Sequence, residues 1–241
     1  MISENHIGMF AKFWQPGQVK TRLATLGIHA ASEIYFEFLS HLLTQLRSSG
    51  HFRSIVFSPD HRQEEFRRLA GPEWKLVPQV DGDLGTRLRA FFARTFLGNQ
   101  SPDSVMNDST TAGGVNRKII VIGSDCPLIQ PALLESAFEK LDHCPAVIGP
   151  STDGGYYLIG LRQPCDNIFQ NIAWSTSKVC SQTMAVLREQ QIDFDLLPEM
   201  NDVDDIDDFH QLMCILSAPL AQQDTTTEKL QLRLSRIHPG R

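Results

Sequence analysis

Lys118-Ile119-Ile120-Val121-Ile122-Gly123 narrows the fold of this chain more than any other stretch. Ile119 to Ile122 are consecutive β-branched apolar residues with no polar alternation. Such a run suits a strand covered on both faces, the position of a central strand in a parallel sheet. Covering both faces requires helices on either side, and the sequence supplies them in alternation with further strands. Ile7 to Phe13, Ser54 to Pro59, Lys75 to Pro78, Ala146 to Gly149 and Tyr156 to Leu161 read as strands. Ile34, Tyr35, Phe38, Leu39, Leu42 and Leu46 recur at helical spacing, with Gly50 as the expected C′ residue. Polar Gln63 to Ala70 and then Leu84 to Phe96 predict two more helices. Pro131 opens another, with Leu134, Ala137, Phe138 and Leu141 on one side. Ser175 is the expected N-cap of a helix carrying Val179 and Leu187, and Phe209, Leu212, Met213 and Leu216 mark a last core helix. This order predicts an α/β fold with a mainly parallel sheet.

With 241 residues and 41% hydrophobic content, one sizeable core is expected, in a single domain over 1–216. The stretch 98–117 is rich in Ser, Thr, Asn, Asp and Gly and has little to bury; it reads as a mobile surface insertion. Residues 217–241 read as a peripheral tail. There Leu230, Leu232 and Leu234 alternate with polar residues, as in an edge strand or dimer contact, with a disordered tail as the alternative. The net charge of −6 argues against nucleic acid as a partner. No apolar run approaches the roughly 20 residues of a membrane span, and the start lacks a signal-peptide layout. The five cysteines are scattered, odd in number and without a C-x-x-C pair, so reduced thiols in the cytoplasm are expected.

Five polar turns carry candidate chemistry. After the first strand, Pro16-Gly17 and then Lys20-Thr21-Arg22 combine a turn with two cations before a helix, an arrangement suited to phosphates. The alternative is a solvated turn. Lys12, inside the strand pattern, lies at a sheet edge or points into a site. Asp125, in Gly123-Ser124-Asp125-Cys126-Pro127, follows the strongest strand, where open α/β sheets bind ligands, and could hold Mg²⁺. Asp153-Gly154-Gly155 is either a close backbone approach to a ligand or a plain hairpin. In Asn201 to Asp208, Asp205 and Asp208 need be no more than helix caps, whereas Asp202 and Asp204 are free to reach a metal. Asp83 and Arg87, in Gly82-Asp83-Leu84-Gly85-Thr86-Arg87, could contact a base or ribose, or merely form a strand-to-helix turn. A P-loop, a G-x-G-x-x-G fingerprint, H-E-x-x-H and G-x-S-x-G are all absent. Cys126 reads as a buried structural thiol rather than a nucleophile.

Phe10-Ala11-Lys12, Pro16-Gly17 and Val19 to Leu23, together with Gly82 to Gly85 and Arg87, Gly123 to Pro127, Gly149-Pro150 with Asp153 to Tyr156 and Leu158 to Leu161, Trp174-Ser175-Thr176, and Leu197-Pro198 with Asp202-Val203-Asp204, form an ordered set of blocks. This set resembles an uncharacterised bacterial family with the glycosyltransferase-A fold, in the nucleotide-diphospho-sugar transferase superfamily and similar to phospholactate guanylyltransferase. Trp14 and Gln15 depart from its usual pattern, which often has a proline near there. The resemblance implies a Rossmann-like three-layer α/β/α sandwich that binds a nucleotide at the carboxyl ends of its strands. It places Lys20 and Arg22 in a phosphate-binding loop and Asp125 at a metal-binding carboxylate, with Asp153 and Asp202 or Asp204 as further acids.

Three readings follow. In nucleotidyl transfer, an acceptor phosphate attacks the α-phosphorus of a nucleoside triphosphate, and Lys20 and Arg22 neutralise the departing pyrophosphate. In glycosyl transfer from a nucleotide-sugar, Asp153 or an acid of the Asp202 cluster takes the acceptor proton. Both readings use Mg²⁺ or Mn²⁺ on Asp125 with Asp202 or Asp204, and a small-molecule acceptor. A non-catalytic nucleotide-binding regulator is the third. Lys12, Gly17, Asp83, Arg87, Gly154 and Gly155 complete the expected nucleotide-binding set.

Overall fold

The computed structural model describes residues 3–98, 116–217 and 225–237. Seven strands make one sheet: β1 (Ser3–Lys12), β2 (Phe52–Ser58), β3 (Lys75–Pro78), β4 (Asn116–Ile122), β5 (Ala146–Pro150), β6 (Tyr156–Leu161) and β7 (Phe194–Leu196). Their order is β3-β2-β1-β4-β6-β5-β7. All neighbouring pairs are parallel except those of β6, which runs antiparallel to β4 and β5. The helices are α1 (Ile28–Gln45), α2 (Gln63–Ala70), α3 (Leu84–Leu97), α4 (Pro131–His143), α5 (Val179–Glu189), α6 (Ile206–Ser217) and α7 (Thr225–Ile237).

The β-branched run explains the layering. In β4, Ile120 and Ile122 face a core shared with Leu39 and Leu42 of α1, Leu46 at its end, Phe66 of α2 and Leu134 and Phe138 of α4. Ile119 and Val121 face the opposite core, with Leu88, Phe91 and Phe92 of α3 and Leu187 of α5. Burying each such side chain contributes about 1.5–3 kcal/mol. Helix α3 approaches β1 closely because position 8 has no side chain: a Cβ on Gly8 would lie 2.5 Å from the Phe91 ring.

Strand order sets the site. The chain steps outward from β1 to β2 and β3, then returns to β4 on the other side of β1. The connections leaving β1 and β4 therefore part, and a crevice opens at their carboxyl ends.

A third, smaller core lies outside the sandwich. Ala31, Ile34 and Phe38 of α1 pack with Leu23 of the β1 loop, with Val203, Phe209 and Leu212 of the α6 region, and with Leu230 and Leu234 of α7. This corrects the reading of the tail. Leu230 and Leu234 are a buried i, i+4 pair on a helix, and Leu232 is exposed. Three leucines at every second position fit both periods, and packing against α1 selects the helix. Two caps also differ. Helix α1 ends at Gln45, with Leu46 at its C-cap, so Gly50 is not the C′ residue; its positive φ turns the chain into β2 beside β1, where a Cβ would meet Asn5 O at 3.1 Å. Ser175 does not cap α5. It sits in a left-handed turn (φ 62°), and Lys178 precedes Val179 at the cap. Most of the 98–117 insertion, and parts of the 217–241 tail, lie outside the described residues. Among the described residues, no helix is long and apolar enough to cross a membrane, and the five cysteines are free.

Candidate active site

The loop after β1 is pinned before it enters the crevice. The Lys12 N–H donates to the Tyr35 hydroxyl of α1 at 2.9 Å, the Phe13 N–H to Ser58 O at 2.7 Å, and the Ser32 hydroxyl to Trp14 O at 2.9 Å. Pro16 and Gly17 are exposed at the turn, where Gly17 has φ 77°. Lys20 then adopts a left-handed backbone (φ 48°, ψ 44°). That conformation costs a non-glycine residue about 1–2 kcal/mol, so the surroundings must hold it. They do so through its side chain. The Lys20 ammonium pairs with Asp125 Oδ1 and, at 3.2 Å, with Asp204 Oδ1, and only 3% of the side chain is exposed. Burial alone would push its pKa down; Asp125 and Asp204 outweigh that and hold it above the ordinary lysine value. Arg22 stands at the rim, 74% exposed and 3.8 Å from Asp204 Oδ2.

The loop after β4 makes three different attachments with three successive residues. Ser124 Oγ shares a 2.8 Å hydrogen bond with the Tyr35 hydroxyl, so α1 ties the ends of β1 and β4 together from below. Burial, with the Asp125 charge adding to it, pushes the Tyr35 pKa up to about 12. Asp125 takes Lys20 on its side chain, and its carbonyl accepts the Val203 N–H at 3.1 Å. The Cys126 thiol donates to Asp202 Oδ1 at 2.7 Å and lies 3.2 Å from Asn201 O. Burial raises the Cys126 pKa well above the usual thiol range, and Asp202 raises it further, so this group is a thiol and not a nucleophilic thiolate. Burial also pushes Asp202 up to about 6; the thiol hydrogen bond opposes this, while Asp125, Asp153 and Asp204 add to it.

The acidic segment divides as its position predicts. Asp208 Oδ2 accepts the N–H groups of Asp204 and Asp205, and Asp205 Oδ1 accepts those of Asp207 and Asp208, which caps α6. Asp202 and Asp204 project their carboxylates to Cys126 and to Lys20 and Arg22 instead.

Asp153 sits at the edge of this cluster. Its Oδ1 accepts from the Ser151 hydroxyl and from the Gly155 N–H at 2.8 Å. Ser151 pairs with Met200, and the Thr152 N–H donates to Met200 O, which brings this turn alongside Asp202. Gly154 has φ 89°, and a Cβ there would lie 2.1 Å from Ser177 O, so only glycine fits. Asp83 and Arg87 are wired differently. Asp83 accepts the Thr86 N–H at 2.8 Å as the α3 N-cap; Arg87 donates to Gly82 O and Gln79 Oε1. Gly85 packs against Trp174, whose Nε1 would be 2.6 Å from a Cβ.

The crevice therefore brings together Lys20, Arg22, Asp125, Asp202 and Asp204, with Asp153 beside them. Lys12 is exposed at the end of β1. The three expected metal ligands do not make a ready cage: among the described residues, no three His, Cys, Asp or Glu side chains are grouped to hold a cation, and the Lys20 ammonium lies between Asp125 and Asp204. Tyr35, Ser124 and the donor role of Cys126 are additions to the sequence reading. A hydroxyl on the otherwise apolar face of α1 was the one available signal for Tyr35.

Residues 42–176 match the family described as an uncharacterised protein conserved in bacteria (DUF2064). The chain belongs to that family. No curated protein matches it. The DUF2064 chain is similar over 99% of its length to the crystal structure of a candidate nucleotide-diphospho-sugar transferase from Desulfovibrio desulfuricans G20, with 28% identity, a TM-score of 0.82 and 98% of that chain covered. Two more distant likenesses concern the fold alone. One is 4-diphosphocytidyl-2C-methyl-D-erythritol synthase from Anaerococcus prevotii DSM 20548 (8% identity, TM-score 0.55, 90% of this chain and 99% of that one). The other is CMP:2-keto-3-deoxy-manno-octonic acid synthetase complexed with CTP (11% identity, TM-score 0.54, 90% and 100%). The DUF2064 fold is thus that of the nucleotide-diphospho-sugar transferases.

Proposed function

We propose that this DUF2064 protein is a metal-dependent transferase whose β1/β4 crevice binds the phosphates of a nucleotide. One observation carries the proposal: a buried lysine from the β1 loop and the first carboxylate after β4 meet at the switch point of the sheet, with Asp204 beside them. Lys20 and Arg22 are the cations available to neutralise a departing diphosphate. Four carboxylates, Asp125, Asp153, Asp202 and Asp204, stand against these two cations, so a polyanion needs further positive charge to enter. The donors are oxygens and Cys126 keeps its proton, which fits a hard cation such as Mg²⁺ or Mn²⁺ and not a soft one. The lack of a ready cage fits as well, because Mg²⁺ is commonly held by one or two carboxylates and the substrate's phosphates. Asp125, with Asp202 or Asp204, would hold the ion, which when bound would screen charge on the phosphate oxygens.

Nucleotidyl transfer is the reading we favour. An acceptor phosphate oxygen attacks the α-phosphorus of a nucleoside triphosphate, pyrophosphate leaves, and Lys20 and Arg22 stabilise the leaving charge. This reading follows by analogy the CTP-complexed and diphosphocytidyl synthases that share this fold. Glycosyl transfer from a nucleotide-sugar is the second reading, supported by the 28% identical D. desulfuricans protein. Against it, Asp153, the natural candidate base, already has Oδ1 engaged by Ser151 and Gly155. The test is incubation with nucleoside triphosphates and nucleotide-sugars in Mg²⁺ or Mn²⁺. Pyrophosphate release supports nucleotidyl transfer and nucleoside diphosphate release the second reading. Binding without either product makes the protein a nucleotide-binding regulator and overturns the transferase proposal. We place the protein in the cytoplasm, consistent with its free thiols.

A further inference from the structure

Cys126 has no part in the transfer chemistry above, yet it occupies the junction between two acidic segments. Its thiol is 1% exposed and directed at Asp202 Oδ1. A buried cysteine ordinarily packs as a small apolar group. Here the sulfur instead spans from the β4 loop to the segment before α6, beside the main-chain tie between Val203 N–H and Asp125 O. Asp202 needs a donor at this point, because the three other carboxylates around it oppose its charge. Among the described residues, Cys126 is the only group that donates to it, at Oδ1, and no hydrogen bond is made to Oδ2.

We propose that Cys126 is a positioning residue, whose thiol fixes Asp202 Oδ1 so that the carboxylate is held ready for the divalent cation of the nucleotide site. This rests on the function proposed above. The cysteine touches neither substrate nor cation and acts only through Asp202. Outer-shell donors of this kind commonly change metal affinity roughly 10- to 100-fold when removed.

The experiment measures Mn²⁺ binding to the full chain by electron paramagnetic resonance, with and without a nucleoside triphosphate. Cys126→Ala is expected to weaken Mn²⁺ binding by roughly 10-fold or more. Cys126→Ser, which keeps a donor, should restore most of the affinity. In an Asp202→Asn background, Cys126→Ala should have no further effect, because the thiol has lost the group it acts through. A metal-free readout accompanies these. The Cys126 S–H stretching band, identified by its loss in Cys126→Ser, should shift when Asp202→Asn weakens the acceptor. Unchanged Mn²⁺ affinity in Cys126→Ala, no rescue by serine, additive effects in the double variant, or an unshifted S–H band would each overturn the positioning role. In those cases the unaltered protein still binds Mn²⁺, and the nucleotide-site reading stands. If the unaltered protein binds no Mn²⁺ in either condition, both proposals fall.

Discussion

Two strand-to-helix turns in this molecule have nearly the same ingredients and opposite wiring. The turn after β3 carries Asp83, with Arg87 in the first turn of α3, and the turn after β1 carries Lys20 and Arg22. Asp83 is satisfied three residues on by the Thr86 N–H, and Arg87 by Gly82 and Gln79 behind it. Lys20 is satisfied by Asp125 and Asp204, the latter 184 positions away. A charge whose partners lie within its own turn shapes that turn. A charge buried against carboxylates from two other elements adopts a left-handed backbone to reach them, and that strain has no local return. The second pattern is the one expected of a binding site.

The contrast breaks most readily at Asp125. Asp125→Asn should lower turnover at least about 100-fold, the scale of losing a principal electrostatic contact at a reacting phosphate. Its melting temperature should change little, because Asp204 still pairs with Lys20. Steady-state rates and thermal unfolding of the same preparation test this, and full turnover would remove Asp125 from the mechanism. Lys20→Ala should weaken nucleoside triphosphate binding by about 1–3 kcal/mol, measured calorimetrically. Equal affinity in that variant would reduce the β1 loop to a turn like the one after β3.

This difference also marks how much could be read in advance. Hydrophobic period and length are local properties, so the β4 run, the bounds of α2 and of β6, and the two-sided core were legible. The reversed direction of β6 was legible only as one of two readings of Asp153-Gly154-Gly155, the hairpin, which the antiparallel β5–β6 pair bears out; the β6 run itself reads the same in either direction. Helix α7 was missed because its leucines fit two periods and the choice is made by α1, far away in sequence. At the site, residue types and their position after strands pointed to Lys20, Arg22, Asp125, Asp202 and Asp204. Which aspartate meets Lys20, and that a thiol braces Asp202, depend on how loops more than 70 residues apart converge. No spacing rule encodes that.

Tyr35 sharpens the comparison from beneath. It joins the ends of β1 and β4 through the Lys12 N–H and Ser124 Oγ, whereas the turn after β3 is tied to β1 and β2 by its own Gln79, whose Nε2 donates to Ala11 O and Val56 O. Tyr35→Phe leaves the half-buried Lys12 N–H and the buried Ser124 hydroxyl without their shared partner, which should cost about 1–3 kcal/mol of folding stability in denaturant unfolding. Nucleotide affinity should fall with it, since the tie sets the distance between the Lys20 and Asp125 loops. A stability loss with unchanged affinity would confine Tyr35 to the fold.

The smallest effect is expected at Asp83, and it tests the other arm. The Thr86 N–H bonded to this carboxylate holds its pKa below the ordinary aspartate value, so the ionised form is favoured by folding. The cap therefore contributes its full stability above the usual aspartate range, and loses it as pH falls through the lowered native value. Asp83→Ala should lower the melting temperature slightly at neutral pH, and the gap from the unaltered protein should narrow as pH falls below the ordinary aspartate range. Nucleotide affinity should be unchanged, in contrast to Lys20→Ala. If Asp83→Ala instead weakens nucleotide binding as Lys20→Ala does, local satisfaction is not a guide to local function, and the turn after β3 belongs to the same pocket.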